Sequence, residues 1–257
     1  MPHLILEGRK IFFRQGGRPT GSRPLVFIHG AGGSSNVWLR QLQAFEEDFF
    51  VLAIDLPGHG DSEGEGAESV EAYSRILSSF LDALAIEEAL LVGHSMGGAI
   101  AMVLALAHPL RVKGMALVGS GARLRVPPEV FSALELDFKE AIRVICRYAY
   151  SPHFPAYLLR LGEAEVGKTD PRVLLSDFSA CNAFDLCARL AEITANTLVM
   201  CGREDRFTPL KLSKYLCSHI PHSRLEIIER AGHMAMIENA PAFNAALSRF
   251  LGEPIFS

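Results

Sequence analysis

The apolar residues of this chain form short runs, and between them lie longer stretches in which apolar positions recur every three or four residues. Short runs rich in β-branched residues indicate strands, whereas the longer spacing indicates amphipathic helices. The strand-like runs are Pro24–His29, Phe49–Asp55, Ala89–Gly93, Gly114–Gly119, Thr197–Gly202 and Leu225–Glu229. Strands that alternate with helices predict a parallel sheet covered by helices on both faces.

Two further segments precede the first of these runs. His3–Glu7 and Lys10–Arg14, separated at Gly8, have the pattern of a hairpin. A hairpin at this point would add antiparallel strands to one edge of the sheet. We therefore expect an α/β protein with a mostly parallel sheet of about eight strands, flanked by helices.

Residues 120–196 break the regular alternation, because they separate two predicted strands by far more than the roughly dozen residues that a crossover needs. Their first part has apolar residues at helical spacing, at Val130, Phe131, Leu134, Phe138, Ile142 and Ile145. We expect residues 1–121 and 191–257 to form the core, with residues 122–190 inserted as a helical lid. The alternative is an additional helical layer without a role in binding.

Composition narrows the possible partners. The chain has 257 residues, and its 25 Lys and Arg against 29 Asp and Glu give a net charge of −4 without a basic stripe. Such a surface does not suit a phosphate backbone. No stretch approaches the roughly 18 to 20 apolar residues of a spanning helix, and Met1–Lys10 lacks the pattern of a secretory signal. We expect a cytoplasmic protein that binds neither nucleic acid nor membrane; the sequence leaves its oligomeric state open.

The cysteines point away from a disulfide framework. There are five of them, an odd number, and no two form a C-x-x-C pair: Cys146, Cys181, Cys187, Cys201 and Cys217. This usage favours free thiols in a reducing compartment over disulfides or a zinc site. We expect no metal.

The segment Gly93–Gly97, with the sequence G-H-S-M-G, directly follows a predicted strand and precedes a helical run. The bare G-x-S-x-G pattern is weak, but a strand before it and a helix after it are typical of a strained turn that exposes a nucleophilic serine. Glycine is needed at both ends, since a Cβ would collide with a neighbouring strand or helix. Ser95 is therefore the candidate nucleophile, at the carboxyl end of the sheet and the N-terminus of a helix.

A serine hydroxyl needs a base, and the base needs a group that orients it. His233 follows the last predicted strand and so emerges at the same sheet edge as Ser95. Two acids, Glu204 and Asp205, follow the strand that ends at Gly202. The histidines of the glycine-rich loops, His29, His59 and His94, are interpreted as structural groups that hold those loops by hydrogen bonds from ring to backbone.

Acyl transfer also needs donors for the oxygen that gains negative charge. The loop His29–Gly33 ends a predicted strand, and its glycines allow backbone to approach a ligand closely. We predict that the backbone N–H groups of Ala31 and Met96 form this oxyanion hole. The loop has neither the Lys-Ser/Thr ending of a P-loop nor dinucleotide-binding spacing, which argues against a nucleotide site.

Four segments of the chain resemble the α/β-hydrolase fold superfamily: residues 29–33, 55–62 and 93–98, and the pair Asp205 and His233. The order along the chain, serine then acid then histidine, is that of the superfamily. The resemblance runs from about residue 24 to residue 251. It implies that Asp205 rather than Glu204 is the acid, because the superfamily's acid ends a G-x-x-D turn after the seventh strand. It also implies a lid between the sixth and seventh strands.

Among subfamilies, the chain is most similar to small, lidded bacterial carboxylesterases. Epoxide hydrolases and haloalkane dehalogenases of this fold carry aspartate where this chain has Ser95, which argues against both. The resemblance thus implies a serine hydrolase that cleaves a carboxylic ester of a small, largely apolar molecule through an acyl-enzyme, without a cofactor. Two alternatives stay open: a carbon–carbon bond hydrolase of aromatic ring-fission products, and a ligand-binding signalling protein that retains the three residues.

The substrate side of the site is harder to predict. Apolar side chains that could line the pocket are Trp38, Phe131, Phe138, Phe184 and Met234, although each could equally pack within the core. If the substrate carries a carboxylate, Arg123 and Arg125, at the start of the insertion, are the candidates to bind it.

Overall fold

A computed structural model of the chain describes residues 2–19, 21–253 and 256. Its eight strands are β1 (His3–Leu6), β2 (Arg9–Gly16), β3 (Arg23–Ile28), β4 (Phe49–Ile54), β5 (Ala89–His94), β6 (Val112–Val118), β7 (Asn196–Gly202) and β8 (Ser223–Ile228). The helices are α1 (Leu39–Phe45), α2 (Val70–Ala83), α3 (Met96–Ala107), α4 (Pro128–Leu136), α5 (Phe138–Ala149), α6 (Ala156–Val166), α7 (Pro171–Ala183), α8 (Leu210–His219), α9 (Ala235–Glu238) and α10 (Ala240–Leu251).

The strands form one sheet in the order β1-β2-β4-β3-β5-β6-β7-β8. Strands β1 and β2 pair antiparallel, and β2 also pairs antiparallel with β4. All other pairs are parallel. The predicted fold class, a mostly parallel sheet with an antiparallel hairpin at one edge, is confirmed.

The central strands consist mostly of buried apolar residues because helices cover both faces of the sheet. In β3, Leu25 and Phe27 face a cluster that includes residues of α1 and α10, whereas Val26 and Ile28 face a cluster that includes residues of α2, α3 and α8. All six residues of β5 are buried. The strand that immediately precedes Ser95 is therefore fixed within the core.

The parallel arrangement brings the carboxyl ends of β3, β5, β7 and β8 to the same edge of the sheet. The loops that follow these strands carry the oxyanion-loop candidates, Ser95, Asp205 and His233. The sheet therefore gathers residues that lie far apart in the sequence.

The segment between β6 and β7 contains the four helices α4 to α7. Part of it has its own apolar cluster, which includes Val130, Val144, Ile145, Leu174 and Phe178. The end of the segment differs, because Phe184 and Leu190 pack into the main core. Among the helices of the described residues, none is long and apolar enough to cross a membrane.

Candidate active site

Ser95 lies in a strained turn between β5 and α3. Its backbone angles are φ 52° and ψ −114°, which an L-residue with a side chain rarely adopts. A Cβ on Gly93 would lie 2.3 Å from the carbonyl oxygen of Gly97, and a Cβ on Gly97 would lie 2.3 Å from that of Ile28. Only glycine fits at either position, which is the steric reason for the G-x-S-x-G pattern.

His233 and Asp205 form a buried pair at the same sheet edge. His233 Nδ1 lies 2.9 Å from Asp205 Oδ2, and the exposed fractions of the two side chains are 6% and 0%. A carboxylate can only accept here, so the imidazole carries its proton on Nδ1 and leaves Nε2 free to accept another. Within the described residues no hydrogen bond joins Ser95 Oγ to His233, but both side chains line the same cavity.

The loop after β3 passes directly beside Ser95. A Cβ built on Gly30 would lie 3.0 Å from the Ser95 Cβ, so the backbone there comes as close as glycine permits. Ala31 lines the cavity that contains Ser95, and Met96 is the first residue of α3. Among the described residues, neither Ala31 N–H nor Met96 N–H donates to an acceptor, so both are available to an oxyanion.

The cavity at Ser95 has a volume of about 270 Å³. One wall comes from the insertion and includes Ile145, Tyr150, Phe154 and Phe178. Phe207, from the loop after β7, lies 5.3 Å from the His233 ring between centroids. Apolar and aromatic side chains thus surround a few polar groups, as is typical of small-molecule sites.

This geometry agrees with what comparisons with known proteins show. Residues 25–246 match the model of the alpha/beta hydrolase family. This chain belongs to that family.

Relatives of this hydrolase differ in the reactions given in their names. The chain is 32% identical over 254 residues to a 2-hydroxy-6-oxononadienedioate/2-hydroxy-6-oxononatrienedioate hydrolase of Cupriavidus pinatubonensis, covering 90% of this chain and 88% of the relative. The solved structure of a thermophilic esterase is similar with 34% identity and a TM-score of 0.86, covering 97% and 96% of the two chains. That of an enzyme that degrades N-acyl homoserine lactones has 30% identity and a TM-score of 0.87, covering 97% and 100%.

Four of the five predicted pocket residues of this hydrolase lie elsewhere, and these predictions need correction. Trp38 is fully buried in the apolar cluster that includes residues of α1 and α10, with its ring centroid 5.1 Å from that of Phe27. Phe184 packs into the main core, and Phe131 and Phe138 pack within the insertion. Only Met234 of the five lines the cavity. The sequence shows that these residues are apolar, but the face that each one covers depends on how the helices dock.

The two arginines proposed for a substrate carboxylate are exposed and already have partners. Arg123 forms an ion pair with Asp185, with 2.7 Å between Arg123 Nη2 and Asp185 Oδ2. Arg125 Nη1 donates to the Asn182 carbonyl oxygen at 2.6 Å. Arg125 also borders a second, smaller cavity of about 30 Å³ that shares Ser95 with the main one. The charged side chains on the main cavity are instead Arg40 and Glu165.

The histidines in the glycine-rich loops act as structural groups in this hydrolase. His29 Nδ1 lies 2.8 Å from the Gly30 oxygen, and Nε2 accepts from Leu56 N–H at 3.0 Å. Burial, together with the nearby His59, lowers the pKa of His29 to about 3. His94 Nε2 bonds to the His233 carbonyl oxygen at 3.1 Å. Burial and the proximity of His233 lower the pKa of His94, so its ring stays neutral.

Three residues whose hydrogen bonds hold the loops and side chains of the site were not predicted from the sequence: Thr208, Glu238 and Asp177. Thr208 donates to both oxygens of Asp205, through its backbone N–H and its hydroxyl, each at 2.7 Å. A polar residue three positions after an aspartate is a common turn partner, so this contact had a sequence signal. Glu238 accepts from the N–H groups of Ser151 and Gly232, each at 2.9 Å, and Asp177 accepts from that of Gly32. The contacts of Glu238 and Asp177 have no local sequence pattern.

Proposed function

We propose that this chain is a serine hydrolase that cleaves carboxylic esters of small, neutral, largely apolar molecules through an acyl-enzyme. The observation that carries the proposal is the strained Ser95 turn and the buried His233–Asp205 pair on the wall of one apolar cavity. A nucleophile, a base with a fixed tautomer and free backbone donors in one place are the parts that acyl transfer requires.

In the proposed mechanism, His233 Nε2 takes the proton of Ser95 Oγ as the oxygen attacks the ester carbonyl carbon. The carbonyl oxygen becomes negatively charged, and the N–H groups of Ala31 and Met96 stabilise it. His233 then gives its proton to the leaving alcohol, and a water molecule releases the acyl group with the same residue as base. Asp205 holds the imidazole and stabilises its positive charge.

Charge on the cavity wall supports a neutral substrate. Glu165 Oε1 accepts from Ser34 Oγ and Asn36 Nδ2, each at 2.7 Å, and Oε2 pairs with Lys168 Nζ at 2.7 Å. Burial alone would raise the pKa of Glu165, but these three hydrogen bonds together bring the pKa below its ordinary value. The group is therefore a carboxylate, so the two charged side chains on the wall, Arg40 and Glu165, have opposite signs and give no net charge that would favour an anionic substrate.

The insertion supports the interpretation of a lid, since it supplies much of the cavity wall. Helix α6 has no buried residue, and two of its apolar side chains are largely exposed: Tyr157 and Leu161. The C-terminus of α5 is fixed instead, because the Ala149 carbonyl oxygen accepts from the N–H groups of His233 and Met234. We propose that the N-terminal half of α6, which precedes Glu165 and its hydrogen bonds to Ser34 and Asn36, is the part of the lid that opens.

A second candidate is carbon–carbon bond hydrolysis. The 32% identity to a 2-hydroxy-6-oxononadienedioate hydrolase favours it. So does Arg125, which could pair with a substrate carboxylate at the smaller cavity next to Ser95. That cavity has a volume of only about 30 Å³, however, against about 270 Å³ for the main cavity at Ser95.

Three measurements together test the proposal. A fluorophosphonate probe should label the wild-type chain and fail to label Ser95→Ala. The control is Ser179→Ala, a substitution of an exposed serine of α7, which should be labelled like wild type. The kcat of Ser95→Ala on aryl esters should fall by about 10⁴-fold or more. The third measurement compares kcat/KM for a vinylogous diketone with a terminal carboxylate and for neutral aryl esters. A higher value for the esters supports ester hydrolysis, and a higher value for the diketone supports carbon–carbon bond hydrolysis. Equal ester turnover by Ser95→Ala would refute a serine mechanism, and tight ligand retention without turnover would indicate a binding protein.

A further inference from the structure

Asp177, on α7 of the insertion, lies at the centre of a buried hydrogen-bond network. Its side chain is completely buried. Asp177 Oδ2 accepts from Gly32 N–H at 2.9 Å and lies 2.7 Å from His59 Nε2. Asp177 Oδ1 accepts from the Tyr73 hydroxyl at 2.5 Å. One carboxylate thus joins α7 to the loops after β3 and β4 and to α2.

The His59–Asp177 contact is a charged pair. His59 Nδ1 faces the Pro57 carbonyl oxygen at 3.0 Å while Nε2 faces the carboxylate, so both ring nitrogens are placed to donate. Burial lowers the pKa of His59, but Asp177 more than offsets this and the net pKa is raised. Burial raises the pKa of Asp177, yet His59, Tyr73 and Gly32 bring it below its ordinary value. The carboxylate that meets Gly32 is therefore ionised and strongly accepting.

The insertion holds Gly32 from both sides. Asp177 accepts from its N–H, and Thr169 Oγ1 donates to its carbonyl oxygen at 3.3 Å. Gly32 has φ +62°, and a Cβ there would lie 2.5 Å from Leu174 Cδ1 on α7. The loop has glycine at positions 30, 32 and 33, so without these contacts its backbone would have wide conformational freedom.

The position of this network matters because Gly32 directly follows Ala31. The Ala31–Gly32 peptide carries the N–H that Asp177 accepts, and the torsion angles of Ala31 couple that peptide to the Ala31 N–H. An oxyanion donor displaced by a fraction of an ångström loses much of its effect on the transition state.

We propose that Asp177 is a positioning residue for the hydrolytic reaction: by holding Gly32 N–H, it fixes the direction of the Ala31 N–H toward the oxyanion. This inference rests on the proposed function. Asp177 itself does not line the cavity at Ser95 and touches no substrate. The insertion would then complete the oxyanion hole as well as cover the site, with Asp177 holding Gly32 at its N–H and Thr169 holding it at its carbonyl oxygen.

Three variants separate positioning from plain structural support. Asp177→Leu removes the acceptor for Gly32 N–H. Asp177→Asn keeps it, because the amide oxygen can face Gly32 and His59 while the NH₂ group donates to the Tyr73 oxygen. Tyr73→Phe removes a hydrogen bond to the same carboxylate but leaves the Gly32 contact intact.

The assay is steady-state hydrolysis of a neutral aryl ester, with inhibition by an aryl boronic acid that forms a tetrahedral adduct. We expect kcat of Asp177→Leu to fall about 100-fold with KM within threefold, and the boronic acid to bind correspondingly more weakly. Asp177→Asn and Tyr73→Phe should keep kcat within about threefold, even where thermal denaturation shows a lower Tm. Folded Asp177→Leu with wild-type kcat and boronic acid affinity would overturn the inference, as would an equal loss of kcat in Tyr73→Phe.

A fourth variant covers the case in which Asp177→Leu does not fold. Thr169→Val removes the contact to the Gly32 carbonyl oxygen and leaves the charged pair in place. Its kcat should fall about fivefold without a change in KM, and an unchanged kcat would contradict the inference. Ser95→Ala separates the two proposals: an active Ser95→Ala refutes the serine mechanism, whereas an inactive Ser95→Ala beside a fully active Asp177→Leu refutes only the positioning role.

Discussion

Asp205→Asn should abolish most of the activity by reversing the tautomer of His233. Thr208 N–H, which can only donate, lies 2.7 Å from Asp205 Oδ1, so the amide oxygen of the asparagine must take that place. The NH₂ group then occupies the Oδ2 place, where it faces the Thr208 hydroxyl and His233 Nδ1. An NH₂ group donates, so the imidazole must move its proton to Nε2 and can no longer accept one from Ser95.

The expected loss follows from this exchange of roles. A wrong tautomer has cost about 10⁴ in kcat where the same constellation was tested in another fold, or about 5 kcal/mol of transition-state stabilisation. Since the three polar contacts of the side chain persist in Asp205→Asn, its Tm should change little. We therefore expect kcat of Asp205→Asn for an aryl ester to fall by about 10³-fold to 10⁴-fold while the variant stays folded.

The assay compares kcat and the rate of fluorophosphonate labelling in Asp205→Asn with those in Glu204→Gln. Glu204 is the neighbouring acid, and among the described residues its side chain makes no hydrogen bond to His233. Glu204→Gln should retain full activity. A kcat of Asp205→Asn within tenfold of wild type, or a comparable loss in Glu204→Gln, would refute the assignment of the acid.

Three other predictions concern packing, charge and pH. Gly97→Ala should lower the free energy of unfolding by about 2–4 kcal/mol in a denaturant titration, since its Cβ would meet the Ile28 carbonyl oxygen at 2.3 Å; an unchanged midpoint would contradict this clash. Glu165→Gln should lower KM for an anionic ester by about threefold to tenfold in low salt while KM for neutral esters stays constant, and equal changes for both would exclude a charge effect. His29→Gln should flatten the pH dependence of the free energy of unfolding. In wild type, His29 of the unfolded chain binds a proton below about pH 6.5, whereas the buried ring of the folded protein, with a pKa of about 3, stays neutral. Wild type therefore loses stability as pH falls below 6.5. The slopes of wild type and variant between pH 6.5 and 4.5 should differ by about 1.4 kcal/mol per pH unit, and equal slopes would contradict this origin.

Local rules account for what the sequence predicted well. The strand runs, the strand–turn–helix context of Ser95 and the positions of Asp205 and His233 just after strands all follow from backbone sterics and the period of apolar residues. The G-x-S-x-G glycines reflect backbone contacts within a few ångströms, which any chain with this turn must make.

The pocket predictions failed for a different physical reason. Trp38, Phe131, Phe138 and Phe184 are apolar, and each is more than half buried, but none borders the cavity. Burial of apolar area is not directional, so composition indicates that a side chain leaves water without indicating which neighbour it meets. Tyr150 and Phe207 line the cavity instead, because α5 and the loop after β7 pack beside it.

By itself, the sequence determined the sheet, the surplus segment between β6 and β7 and the sites where reactive side chains leave the strands. Only the tertiary structure decided that Asp177 and Thr169, more than 130 residues away, hold Gly32, and that Glu165 meets the loop after β3. The reason is physical: strand and turn propensities act over a few neighbouring residues, whereas a buried carboxylate finds donors wherever packing brings them within about 3 Å.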